Sequence, residues 1–211
     1  MKKFLVLGLL FLAACAGNDG TNGTNGAPGA QGPAGPAGIN GTNGTNGVSP
    51  TVNNIACAVY DLSQSLPTQF SAVPLFSSLL YGPIAVVNIP DFNSPNGLQF
   101  LVGTAAAAYA NSQYVGLDCI SKLVISTAGT YQFNLSSDDG SYLYIDGIQV
   151  VSNDQLHGYP GPTPTGSAYL TMGFHNIEVT YFNNQGPSGL SLTWTPPNSA
   201  GPMVIDPSEF Q

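Results

Sequence analysis

Residues 136–147, SSDDGSYLYIDG, decide the fold. Apolar positions alternate on both sides of Asp138-Asp139-Gly140: Tyr131, Phe133 and Leu135 before it, Tyr142 and Tyr144 after it. Period-two alternation rich in aromatics predicts two half-buried strands, and the Asp-Gly step predicts a tight hairpin between them. A second short turn, Asp146-Gly147, leads into Ile148 and Val150. Asp138 and Asp139 then sit side by side at a hairpin tip, where they repel each other unless something positive lies between them. With so few basic residues in the chain, a metal ion is the available partner. Hard carboxylate oxygens favour calcium over zinc or copper.

The 211 residues allow one ordinary domain with extensions. The chain holds three Lys and no Arg against nine Asp and two Glu. Such a composition excludes nucleic-acid binding, which needs clustered basic side chains, and gives no polybasic attraction to anionic lipid. Residues 1–14, MKKFLVLGLLFLAA, carry a short basic region and an apolar core too short to span a bilayer. Cys15 follows two small residues, as at a bacterial lipobox, so the expectation is cleavage before Cys15 and lipidation of its thiol, leaving 15–16 as a lipidated N-terminus. The alternative is an ordinary signal peptide. Ala16 rather than Asp after the Cys resembles sorting to the outer membrane, with exposure at the cell surface. Removal of Lys2 and Lys3 leaves Lys122 alone against eleven acids, a formal charge of −10.

Glycine recurs at every third position from Gly17 to Gly47. Only glycine fits the axis of a collagen triple helix, so residues 17–47 predict a trimeric stalk roughly 90 Å long, with a flexible linker as the alternative. From 48 to 211 the composition is that of a globular domain. Strands are expected at 55–62, 114–125, 130–136, 141–145, 148–151, 168–172, 174–182 and 189–195, whereas five prolines break up 63–113. Short strands, turn clusters and no helical period predict an all-β antiparallel sandwich. Along 174–182, His175, Ile177, Val179 and Tyr181 share the apolar face, which makes His175 a satisfied core residue. Glu178 falls on the outward face and needs no function there. Cys57 and Cys119, left over outside the cytoplasm, are expected to pair, closing a loop worth about 4 kcal/mol; two buried thiols are the alternative.

The run GTYQFNLSSDDGSYLYIDGIQVV resembles the central motif of the protective-antigen-type, or PA14, domain, and the resemblance extends from about residue 55 to 206. The family is a β-sandwich found in anthrax protective antigen, in yeast flocculins and adhesins, and as an insert in some glycosidases. In flocculin-type members the two aspartates, here Asp138 and Asp139, are joined by a cis peptide and chelate calcium. An Asn side chain and two carbonyls from a second loop complete that site. The resemblance puts these on Asn183, Gln185 and Pro187, with Asn184 as the alternative if the register slips by one. A metal-free structural role for the aspartates is the other reading. In lectin members the metal coordinates sugar hydroxyls. The last loop here lacks the aromatic of the flocculins, so a second loop would supply ligand contacts through Asp154, His157 and Tyr159. His157 matches a His that is more often structural in the family.

No nucleophile motif, His-rich metal site or Gly-rich loop before a helix is present. Adjacent aspartates at one turn cannot flank a glycosidic bond from two sides, so no enzymatic activity is expected. The sequence therefore predicts a lipid-anchored surface protein with a calcium-dependent glycan-binding head on a trimeric stalk. Its rivals are a structural trimeric fibre or coat protein that binds no sugar, and an accessory module of a surface polysaccharide system.

Overall fold

Alternating burial along the chain after residue 54 builds two antiparallel sheets. The computed structural model describes residues 20–29, 54–65 and 70–211. The expected signal segment and lipidation at Cys15, and most of the glycine repeat, lie outside the described residues. Residues 20–29 of the repeat carry no helix or strand and are exposed. Nothing lies within 4 Å of a Cβ built on Gly20, Gly23, Gly26 or Gly29.

The unit spanning 46–211 contains strands β1 (Ile55–Asp61), β2 (Ala85–Ile89), β3 (Asn93–Ser94), β4 (Val115–Ile125), β5 (Gly129–Asp138) and β6 (Ser141–Ile145). The chain continues through β7 (Ile148–Asn153), β8 (Thr165–Leu170), β9 (Gly173–Asn183), β10 (Gly189–Thr195) and β11 (Met203–Val204). One sheet has the order β2-β1-β4-β9-β6-β7, the other β11-β10-β5-β8 with β3 also paired to β10. The two longest strands of the first sheet, β4 and β9, pair without a break from Val115↔Asn183 to Ile125↔Gly173.

The core lies between the inner faces. Phe133 and Leu135 of β5 and Leu190 and Leu192 of β10 belong to the same buried cluster as Leu117 of β4 and Val179 and Tyr181 of β9. Burying each such side chain is worth about 1.5–3 kcal/mol, so this cluster, and not the loops, carries the stability of the sandwich. Cys57 and Cys119 are register partners on β1 and β4 and are joined by a disulfide. A second cluster, Tyr60, Leu62, Phe76 and Phe182, covers part of the outer face of the six-stranded sheet. There Phe76 stacks on Tyr60 with ring centroids 4.6 Å apart.

Two expectations change. Asp138-Asp139-Gly140 is not a hairpin tip: β5 pairs with β10 and β8, while β6 pairs with β9 and β7. A two-residue hairpin of the favoured type needs positive φ at both central residues, and none of Asp138, Asp139 and Gly140 has it. The step carries the chain from one sheet to the other. Asp139 N donates to Phe182 O (3.1 Å) and Phe182 N to Gly140 O (3.0 Å), so pairing with β9 begins before β6 does. The genuine hairpin is Asp146-Gly147, with φ of 51° and 77°. His175, in turn, is not enclosed by the core. It sits at the start of β9, partly exposed, its Nδ1 paired with Asp146 Oδ2 at 2.6 Å and its Nε2 3.0 Å from Thr171 O. In the 63–113 region, 85–89 forms the edge strand β2, whereas Leu98 and Leu101 reach the core from a short 3-10 turn.

Candidate functional site

The crossover between the sheets delivers two carboxylates to one end of the sandwich. The Asp138–Asp139 bond is cis. Asp138 ends β5 opposite Gly189, the first residue of β10. Gly140 follows because a side chain has no room there: a Cβ would lie 2.6 Å from Phe182 Cε1 and 3.2 Å from Gln155 N.

The two acids do different work. Asp139 ties two loops to the crossover: its Oδ1 accepts from His157 N (3.0 Å) and its Oδ2 from Asn184 N (2.8 Å). Asp138 holds less. Its Oδ2 accepts from Tyr159 N at 3.3 Å, and its carbonyl accepts from the buried Tyr181 hydroxyl. Burial, and then the charge of Asp139, push the Asp138 carboxyl above the usual range, against smaller opposing effects of the Tyr159 amide and His157. Burial also holds the Tyr181 hydroxyl well above its ordinary value, so it stays a donor. Lys122 on β4 is the only Lys or Arg among the described residues, and the only ion pair there is His175–Asp146. Among the described residues no Lys or Arg pairs with either aspartate.

Amide oxygens without partners occur at the ends of β7 and β9 and in the residue that follows β9. Asn183 is fully buried; its Nδ2 donates to Ser112 O (3.1 Å), and its Oδ1 has no partner. The Oδ1 atoms of the buried Asn184 and Asn153 are also unpartnered. Gln185 turns its side chain to the Tyr114 hydroxyl (2.7 Å). Pro187 joins Asp138 and Tyr159 in lining a cleft of about 610 Å³, together with Asn96 and Asn111. Two carboxylates and unpartnered amide oxygens form an all-oxygen donor set of the kind a hard cation takes, and a buried oxygen without a partner is otherwise costly. The residues therefore fit calcium. No cluster of three His, Cys, Asp or Glu occurs among the described residues, so amide and carbonyl oxygens would have to complete the shell.

The proposed sugar-contacting residues separate. Tyr159 lines the cleft, with its hydroxyl donating to Ser191 Oγ (3.2 Å). Asp154 turns elsewhere: its Oδ1 accepts from Val73 N (2.6 Å) and its Oδ2 from the Tyr142 hydroxyl (2.5 Å). The His157 ring lies 3.3 Å from Asn153 O, with its Nδ1 buried and unpartnered. Sequence reasoning missed Asn96, Asn111 and Ser112, which come from the proline-broken region. Pro95-Asn96-Gly97 does carry turn chemistry, and Gly97 has φ 75°. Nothing local says that the turn packs beside a crossover more than 40 residues later. Also unforeseen was the buried chain from Asn153 Nδ2 to Ser137 Oγ (2.9 Å) and on to Ser141 Oγ (2.7 Å), which braces the crossover.

A family model described as the PA14 domain matches residues 85–207. No curated protein matches the sequence. Among solved structures, a PA14 sugar-binding domain from an RTX adhesin is similar at 19% identity and TM-score 0.60, covering 75% of this chain and 97% of that one. The PA14 domain of the MpAFP antifreeze protein gives 17% and 0.57, with 75% and 89% covered. The A domain of epithelial adhesin 6 from Candida glabrata, in complex with Galβ1-3GlcNAc, gives 15% and 0.54, with 78% and 88% covered. At these identities the likeness establishes the fold.

Proposed function

The chain belongs to the PA14 family, and on that premise we propose that it is a bacterial surface lipoprotein whose head binds glycans through calcium, at the end of a trimeric collagen-like stalk. One observation carries the reading: two adjacent buried aspartates, one of them lining a cleft, have no Lys or Arg partner among the described residues, and buried amide oxygens of Asn153, Asn183 and Asn184 are unpartnered. Asp138, Asp139 and Asn183 would hold the ion, with carbonyls of Gln185 and Pro187. The metal would supply the missing positive charge and open positions for sugar hydroxyls. Tyr159 offers an aromatic edge to the cleft, and the Asn96 and Asn111 amides offer hydrogen bonds. Asp139, held by two backbone amides, fixes both loops beside the crossover, where the sugar would sit. The similarity to a sugar-binding domain of an RTX adhesin, and to a Candida adhesin domain in complex with Galβ1-3GlcNAc, supports a glycan ligand. Such a head is a binding module, with no catalytic step.

The outer parts of the proposal rest on sequence. The Cys15 lipobox would anchor the chain in the outer membrane, and the unbroken glycine period would join three chains. Three heads presented together would turn weak single-site affinity into avidity. A second reading has its own observation: Asp139 is already satisfied by protein amides, as in a purely structural crossover. A glycan array probed with the soluble chain 16–211, in calcium and then in chelator, separates them. Binding that appears only with calcium supports the lectin; a blank array in both conditions favours the structural fibre.

A further inference from the structure

We propose that the outer face of the six-stranded sheet carries a second binding site, separate from the crossover cleft, for an organic cation bearing a primary ammonium group. The site is a cleft of about 440 Å³ between the sheet and segment 73–77. Its floor follows from the strand register. Asp118 of β4 and Tyr142 of β6 both face Thr180 of β9, and one step along the strands Ile120 and Tyr144 flank Glu178. Two carboxylates and two aromatic rings thus share one surface, away from Asp138.

Thr180 supplies the independent sign of a ligand. The residue is 8% exposed, it lines the cleft, and its hydroxyl has no hydrogen-bond partner. Asp118 Oδ1, beside it, is likewise without a partner. Burial raises the Asp118 carboxyl; burial and then the Asp118 charge raise that of Glu178. Among the described residues neither carboxylate forms an ion pair. Lys122 lies further along β4, in the neighbouring cleft that Glu178 and Tyr144 also line, and is in no ion pair among the described residues.

The chemistry selects the ligand. An ammonium group has three N–H donors, matching two carboxylates and a hydroxyl. Tyrosine faces attract cations, and the rings of Tyr142 and Tyr144 lie 5.9 Å apart at 50°. The Tyr142 hydroxyl is committed to Asp154, so this residue presents its ring. Calcium takes six to eight oxygens, and two carboxylates with one hydroxyl supply at most five even when both carboxylates are bidentate. The ammonium could come from a free amino sugar or from a lysine side chain of a partner.

The test is an NMR titration of the soluble chain 16–211 in chelator, so that the crossover site holds no calcium. The probes are glucosamine, its neutral analogue N-acetylglucosamine, and N-acetyl-lysine amide. Saturable shifts at residues around Glu178 with either amine, and none with N-acetylglucosamine, are expected; which amine binds identifies the source. Glu178→Gln, at a half-buried position where folding is not at risk, should weaken binding about tenfold, as loss of one charge-assisted bond does. Asp118→Asn should do the same, while calcium binding by both variants stays unchanged. Equal shifts with the neutral sugar, no saturable shift with either amine, or undiminished affinity in Glu178→Gln would overturn the proposal.

Discussion

Two of the chain's Asp-Gly steps, Asp139-Gly140 and Asp146-Gly147, lie seven residues apart and use glycine for opposite reasons. At Asp146-Gly147 both residues have positive φ, and the chain folds back on itself between β6 and β7. A Cβ on Gly147 would meet nothing within 4 Å, so this glycine serves backbone conformation alone. At Asp139-Gly140 no positive φ occurs, and the glycine serves space: Phe182 and the loop at Asp154 and Gln155 press against it. The first kind of step makes a hairpin from local rules. The second makes a crossover that only tertiary packing specifies, and the candidate site is built there.

The contrast predicts a graded series of losses. Asp139→Ala should be the most damaging, because it strips the acceptor from two amides that hold separate loops. The cost should be about 3 kcal/mol, reduced somewhat by relief of repulsion with Asp138. Asp146→Ala at the hairpin should cost less than about 1 kcal/mol, since that carboxylate is 45% exposed and screened by water. Urea unfolding of both variants checks the ratio.

Gly140→Ala comes next, at about 1–3 kcal/mol, since Phe182 and the Gln155 backbone must both move. Gly147→Ala meets no atom and should cost about 1 kcal/mol, purely from placing a side chain at φ 77°. Thermal melts distinguish them further: a larger residue, Val, should worsen position 140 sharply. Position 147 should remain governed by backbone strain, with no added clash.

The smallest effect is a pH dependence confined to the hairpin. Burial alone would lower the pKa of His175, but hydrogen bonds to Asp146 and Thr171 and the Asp146 charge together raise it above 6.5. Burial would raise that of Asp146, but His175 and the Asn176 amide bring it below 3.8. Protonated His175 therefore adds stability that is full below pH 6.5 and fades as pH rises through its elevated folded value. Ionised Asp146 adds stability that is full above pH 3.8 and fades as pH falls through its depressed one. The pair contributes most between these limits, by under about 1 kcal/mol after screening. His175→Gln should flatten that window in a series of melts against pH.

Most of the sandwich was legible because its strands obey local rules. The alternation through Tyr131, Phe133 and Leu135 and through Ile177, Val179 and Tyr181 marks buried faces that the structure does bury. The edge strand β2 was obscured by the prolines around it, and β3 and β11, at two residues each, have no period to read. The crossover was misread as a hairpin because Asp-Gly has the same letters in both roles. His175 was misplaced for a related reason: alternation gives its face but not its position at the strand's exposed end. The outward Glu178 carried no sign of the cleft, which exists only because segment 73–77 folds over the sheet.

Asp138 tests the central claim most directly. Its raised pKa means that the charged carboxylate is disfavoured in the fold as it stands, so removing it should not weaken the metal-free protein. Calorimetric titration of the soluble chain 16–211 with calcium, followed by melting in calcium and in chelator, is the measurement. The wild type should bind with saturable heat and melt higher in calcium, by about 2.7 kcal/mol of added stability when calcium exceeds its dissociation constant a hundredfold. Asp138→Ala should lose both the heat and the shift while melting normally in chelator. A wild type that gives no heat and no rise in melting temperature at millimolar calcium would contradict the account.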